Sequence, residues 1–278
     1  MVEYDELCLY AGDDIKITDK IIITQPTLEQ IRLFGEKHYF NAVQTLTSVG
    51  ADLKWQLWDK GIDYTKIDDY DLFVRYIYQA VSSKKRIYAE LTNNREKYTD
   101  ILSKISKEEL EEMNLNPLEL IFKDLDFGDF IPYKRKLGEN DTEIVLYNPD
   151  KDILIDRVVY RQIVEAVRKI HGFKRNNETP ANEQTKIDLI DDARDAYEMA
   201  KTKPYKSVLL PLVSTLKVKS SQCGLNTIWN EKIFEFFYDV KRTGKIQEAQ
   251  MLLQGAYSGF ASLKGIDRDK YDMFSEIK

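Results

Sequence analysis

Apolar residues recur along this chain with two different periods, and the changes of period divide it into three stretches. Over residues 3–24 the β-branched residues Ile15, Ile17, Ile21, Ile22 and Ile23 follow Ala11-Gly12-Asp13-Asp14, a turn signal, and the pattern predicts an N-terminal β-hairpin. Thr27 with Gln30 three residues on predicts a capping box, after which Leu28, Ile31 and Phe34, then Phe40, Val43 and Leu46, recur at helical steps. A break falls between 35 and 39, and Gly50 closes the run. A short helix over 52–60 presents Leu53, Leu57 and Trp58, with Gly61 where a left-handed C-cap belongs. From Asp68 or Asp69 a wide stripe of Leu72, Phe73, Tyr76, Ile77, Ala80 and Val81 predicts a buried helix. Residues 83–113 are highly charged with sparse apolar positions and predict two exposed helices, arranged as a hairpin over the core.

The texture changes at 116. Leu118, Leu120 and Phe122, then Phe127 and Phe130, then 144–147 and 153–155 form short runs separated by Gly128, Gly138 and Asn148-Pro149-Asp150, which predicts a β-meander. At Arg157 the helical period returns with Val158, Val159, Ile163, Val167 and Ile170, ended by His171-Gly172. Residues 174–184 read as an exposed polar loop. Thr179-Pro180 opens a helix whose inward side carries Ile187, Ile190 and Tyr197, and 205–216 reads as a helix kinked at Pro211. Asn226 caps a helix bearing Trp229, Ile233, Phe236, Phe237 and Val240, which Gly244 separates from a last helix with Ile246, Leu252 and Leu253. The expected fold is α+β and predominantly α-helical. It comprises an N-terminal β-hairpin plus helical domain over 1–115, a central β-meander over 116–156 and a C-terminal helical domain over 157–278.

Composition narrows the function classes. With 41 Lys+Arg against 47 Asp+Glu the net charge of −6 gives no global pull toward polyanions, which disfavours nucleic acid as a partner. The 17 Tyr, 12 Phe and 3 Trp supply enough apolar surface for one or two cores. No run approaches the ~20 apolar residues of a bilayer helix. The acidic start lacks the basic, then apolar, order of a secretory leader, so a cytosolic protein is expected. Cys8 and Cys223, the two cysteines, have no zinc or redox spacing and are expected to be inert small hydrophobes.

Candidate chemistry is sparse. No glycine pattern fits a phosphate loop, and His38 and His171, the two histidines, build neither a metal site nor a supported catalytic triad. Asp191-Asp192-Ala193-Arg194-Asp195 spells D-D-x-x-D on a predicted helix. In helical isoprenoid synthases that spacing holds Mg²⁺ against a diphosphate, so Asp191, Asp192 and Asp195 are the candidate metal ligands; the alternative is a solvated helix face. Basic clusters at 133–136 and at Arg168, Lys169, Lys174 and Arg175, with Tyr133 and Phe173 beside them, are candidate phosphate grips.

Two stretches resemble proteins of the tail-morphogenesis region of long-tailed phages and prophages of Gram-positive bacteria. Over 21–73, Ile-Thr-Gln-Pro-Thr-Leu-Glu-Gln-Ile, Phe-Gly-Glu-Lys-His-Tyr-Phe, Leu-Trp-Asp-Lys-Gly-Ile-Asp-Tyr and Asp-Tyr-Asp-Leu-Phe look like the front half of a tail assembly chaperone. Over 155–259, Ile-Asp-Arg-Val-Val-Tyr, Arg-Lys-Ile-His-Gly-Phe-Lys-Arg, Pro-Tyr-Lys-Ser-Val-Leu-Leu-Pro-Leu-Val, Phe-Tyr-Asp-Val-Lys-Arg and Leu-Leu-Gln-Gly-Ala-Tyr-Ser-Gly look like the back half.

The resemblance implies a non-catalytic protein of the host cell cytoplasm without a cofactor. Such a protein coats the coiled-coil-prone tape measure protein before the tail tube protein polymerises around it, and a homo-oligomer is compatible with that role. Helix-in-groove contacts suit such a client. Trp55, Trp58, Tyr76, Tyr78, Phe236 and Tyr238 are the candidate partner-binding residues, because their stripes carry more large side chains than one core face requires; the competing reading places them in the core. A stable tail or connector component of the virion, and a phage-encoded effector or Mg-dependent helical enzyme built on the acidic segment, are the alternative functions.

Overall fold

The computed structural model describes residues 5–136, 138, 142–219, 227–260 and 262–277. Helix takes 57% of the chain and strand 8%, so the protein is α+β with helix dominant. The elements run α1 (Glu6–Tyr10), β1 (Ile15–Lys16), β2 (Ile22–Ile23), α2 (Leu28–Phe34), α3 (Glu36–Thr47), α4 (Lys54–Trp58), α5 (Asp69–Leu72) and α6 (Tyr78–Ala80). They continue through α7 (Lys85–Asn93), α8 (Thr99–Leu102), α9 (Lys107–Glu112), α10 (Glu119–Phe122), β3 (Ile131–Lys136), β4 (Thr142–Asn148) and β5 (Ile153–Ile155). The last helices are α11 (Arg157–His171), α12 (Glu183–Lys201), α13 (Leu209–Lys219), α14 (Ile233–Tyr257) and α15 (Arg268–Tyr271).

The N-terminal hairpin is present but shorter than its sequence pattern. Ile15 pairs with Ile23 and Lys16 with Ile22, while Glu6–Tyr10 form α1 because the Asp5 carboxylate accepts the Leu7 amide at 2.8 Å and caps a helical turn. Gly12 therefore ends a helix and does not turn the hairpin. Thr27 and Gln30 form the expected capping box, exchanging bonds of 3.2 and 2.8 Å, and Gly35 at φ +102 separates α2 from α3. Gly50 is required by a close approach, since a Cβ there would stand 2.4 Å from the Tyr64 carbonyl oxygen.

The stripe after Asp68 is helical throughout, with one π-turn over Phe73–Ile77 between α5 and α6. Phe73 stacks on Tyr160 at 4.3 Å and meets Phe127 edge-on at 5.8 Å, so this stripe is the centre of the aromatic core. The charged stretch after it forms three short helices, α7 to α9, instead of two.

The central sheet is an antiparallel meander in the order β3-β4-β5. It occupies 131–155; the preceding 116–130 are helical turns. There Leu118, Ile121 and Phe122 are buried, a spacing of three and one that suits a helical turn and not a strand. One connected buried cluster draws on α2, α3, the π-turn, α10, β4, β5, α11 and α14.

Three C-terminal expectations are corrected. α12 begins after Asn182, whose side chain accepts the Thr185 amide at 2.8 Å, and not at Thr179-Pro180; of its apolar residues Ile190 is buried while Ile187 and Tyr197 are exposed. Pro211 sits in the first turn of α13, where its missing amide has no intrahelical partner to lose, so it starts a helix instead of kinking one. α14 runs unbroken through Gly244, because an interior glycine costs only about 1 kcal/mol against alanine and the flanking residues outweigh it. The expected cap at Asn226, and Cys223, lie outside the described residues. Cys8 is exposed; the neighbouring Asp5 carboxylate, with a smaller contribution from burial, pushes its thiol up.

Candidate functional site

The six aromatic residues that sequence patterning singles out fall in different environments. Phe236 is fully buried and Tyr78 nearly so, both within the main core. Tyr238 is half-buried, edge-on to Tyr10 at 5.4 Å. Trp55 lies against Tyr197 of α12 at 5.0 Å, and Lys60 sits 4.3 Å above the Tyr76 ring. Trp58 alone of the six is exposed, at 42%, with the Lys186 ammonium 5.8 Å from its ring. They do not assemble into one open apolar face.

The acidic segment Asp191, Asp192 and Asp195 is exposed on α12. Arg194, inside the motif, donates to Asp191 at 3.1 Å and to Asp59 at 2.5 Å. Among the described residues no group of three or more His, Cys, Asp or Glu side chains is arranged to hold a metal ion.

What α12 and the polar run before it do instead is clasp the segment 52–69. Asn176 donates to Asp52 at 2.8 Å, Arg175 grips Asp69 through both Nε and Nη2, and Glu178 pairs with the buried Lys54. Lys186, also buried, reaches Asp63 at 2.8 Å and with two bonds from Thr65 holds that carboxyl far below the usual carboxylate range, although burial opposes it. The run at 174–182 is thus an exposed loop, as its polar sequence predicts, stitched down as a strap.

Between α11 and the start of α5 lies a cleft of about 170 Å³. Arg157, Arg161 and Arg168 project from α11 at helical spacing, and Arg175 joins them from the strap. Arg157 is committed to Asp68 and, at 3.5 Å, to Asp71; Arg175 is committed to Asp69. The other basic cluster, on edge strand β3, carries Arg135 bound to Glu143 at 2.7 Å and Asp156 at 3.2 Å.

The histidine at the end of α11 is internal. His171 Nδ1 lies 2.7 Å from the Val167 carbonyl and must carry the proton, so Nε2 accepts from the Tyr39 hydroxyl, also at 2.7 Å. Burial drops the imidazole to about 4, against a smaller opposing effect of the Val167 carbonyl. Just before α14, Glu231 is pushed up to about 7 by burial and by Glu235 and Asp239 on the first turns of that helix. Tyr10 donates to Asp239 at 2.9 Å.

The open apolar surface lies toward the C-terminus. From Gly244 to Tyr257, half of α14, only Ala249 is buried. Tyr257 is 90% exposed, Phe260 93% and Phe274 92%, with Met251, Leu210 and Val218 also exposed on the same part of the chain. The sequence signal was the all-round apolar character of 207–216, which one buried face cannot absorb. No helix among the described residues is long and apolar enough to cross a membrane. Comparison with protein families, curated proteins and solved structures finds none that matches the chain.

Proposed function

We propose that this chain is a non-catalytic tail-morphogenesis protein, a tail assembly chaperone that shields the apolar helical surface of a tape measure protein in the host cytoplasm. The observation that carries the reading is the set of Tyr257, Phe260 and Phe274, three large rings left at nine-tenths exposure or more beside a half-open helix. Arg242 holds the Met273 and Ser275 carbonyls, so Phe274 lies by the middle of α14 and Tyr257 at its end, and the open rings are spaced along the helix as a long helical client would meet them. Met251 and Leu210 add adaptable aliphatic surface of the kind that accepts more than one register of a helical client. The pairing of Arg194 with Asp191 and Asp59 favours this role over Mg²⁺ chemistry at the acidic segment.

The test is co-expression with the tape measure protein followed by size-exclusion chromatography. The pair is expected to co-elute, and a Tyr257→Ser/Phe260→Ser/Phe274→Ser variant to lose the client while Trp58→Ala retains it. A client that stays soluble alone and never co-elutes defeats the proposal. Stoichiometric presence of the chain in purified particles transfers it to the virion.

A further inference from the structure

We propose that the cleft between α11 and the start of α5 binds a small phosphate-type oxyanion, held by Arg161, Arg168 and the Tyr160 hydroxyl. This is independent of the C-terminal surface and of the chaperone reading. Three observations point to it. First, two of the four arginines lining the cleft are uncommitted: among the described residues Arg161 makes no ion pair, and Arg168 donates only to the Thr47 carbonyl, at 2.5 Å. A guanidinium offers five N–H donors in a rigid fork, so most of those on Arg168 await an acceptor. Second, Glu165 stands between these two on α11 and lines the same cleft, yet pairs with neither, so the forks are not turned onto the helix surface.

Third, the floor carries an unanswered hydroxyl. Tyr160 is only 4% exposed, its ring is fixed against Phe73, and among the described residues its hydroxyl has no hydrogen-bond partner. Burial raises that phenol, and the charges acting on it are those of Asp69, Arg168, Asp68 and Arg175, all of which line the cleft. That hydroxyl is not among the buried side-chain atoms without a partner, so it opens into the cleft and is free to donate to a ligand there. From the α11 side two guanidiniums and one phenol offer donors against the single carboxylate of Glu165, and a tetrahedral oxyanion has enough acceptor oxygens to satisfy all three donors. Asp68 and Asp69 on the opposite wall are already neutralised by Arg157 and Arg175, so they repel an incoming anion less than free carboxylates would. About 170 Å³ accommodates one phosphate group and no extended polyanion.

Isothermal titration of the full chain with inorganic phosphate, against chloride at equal ionic strength, tests the assignment. Saturable binding is expected, with a phosphate-dependent rise in the thermal midpoint. Arg161→Ala, which removes an exposed and unpaired side chain, is expected to weaken binding about tenfold, the range of a charge-assisted contact. Tyr160→Phe keeps the ring packing and is expected to weaken it severalfold. Arg168→Gln should behave as Arg161→Ala; if it unfolds, the other two variants decide. Absence of any phosphate effect beyond chloride, or affinities unchanged in Arg161→Ala and Tyr160→Phe, overturns the proposal. So does a single-stranded oligonucleotide that binds far more tightly than phosphate with a steep salt dependence, which would make the cleft part of a nucleic-acid surface.

Discussion

Replacing Tyr39 by Phe removes one oxygen from the core and should expose how the fold depends on a buried histidine. The Tyr39 ring keeps its packing against Phe40, but His171 Nε2 loses its donor, and the site is too enclosed for water to substitute freely. An unsatisfied buried acceptor costs about 1–3 kcal/mol, whereas removing both partners together is close to neutral apart from packing. Tyr39→Phe should therefore lose about 1–3 kcal/mol at pH 8, and Tyr39→Phe/His171→Leu should lose less than the two single variants summed.

The pH dependence supplies a second reading of the same pair. The folded-state value of His171 is about 4, below its ordinary 6.5. The unfolded chain therefore binds a proton that the folded chain refuses. The associated stability is complete above about 6.5 and is lost as pH falls toward 4, by up to about 3 kcal/mol. Urea unfolding at pH 8 and pH 5 measures both effects. The wild type should lose about 2 kcal/mol more than the double variant over that interval. A Tyr39→Phe midpoint indistinguishable from wild type at pH 8, or an unchanged pH slope in the double variant, refutes the assignment of the hydroxyl as donor and of the imidazole as neutral.

Other consequences follow from single positions. Gly244 lies inside α14 with open space where a Cβ would project, so Gly244→Ala should raise stability by about 0.5–1 kcal/mol in thermal unfolding, and a loss would mean that α14 bends there. Glu231 is raised from its ordinary 4.5 to about 7, so the stability linked to it is full below about 4.5 and drains as pH climbs through 7. Glu231→Gln should accordingly stabilise the fold by about 1–2 kcal/mol at pH 8, allowing for solvent screening, and do little at pH 4; equal effects at both values would contradict this. Lys186→Met leaves the half-buried Asp63 carboxylate with only the exposed Lys66 at 3.4 Å and its Thr65 bonds, and should cost about 1–2 kcal/mol at pH 7, shrinking at strongly acidic pH as Asp63 protonates, which chemical unfolding across pH will register.

Local chemistry was the legible part of the sequence. The Thr27 capping box and Gly61 and Gly172 at left-handed helix ends each depend on residues within one turn, and each stands where its spacing put it. Period reading failed where runs were short. Leu118, Leu120 and Phe122 alternate like a strand, yet the turn at 119–122 buries Leu118, Ile121 and Phe122, because three or four residues do not distinguish the two periods. Nor does any local rule announce that Arg168 and Tyr160 face a shared cleft with Arg175, since only tertiary packing brings the strap back over α11. Arg168 and Arg175 were visible as charges; which of the two is ion-paired was not.

The strap also decides how much of the aromatic density on α4 stays open. Trp55 and Trp58 sit on α4, a five-residue helix too short to hold itself or a client in place. Five cross-links, from Asp52, Lys54, Asp59, Asp63 and Asp69 to residues between 175 and 194, draw α12 down onto α4 and press Tyr197 against Trp55. Buried charge pairs such as Lys54–Glu178 and Lys186–Asp63 add little net stability compared with apolar contacts, but their geometry penalises any other register of α12. The rings at 55 and 197 are thereby consumed in closing the molecule on itself. The distal half of α14 carries a lighter tie, from Lys245 to the Glu276 carbonyl, which leaves the rings at 257, 260 and 274 open to solvent; that is the surface the proposed client would meet.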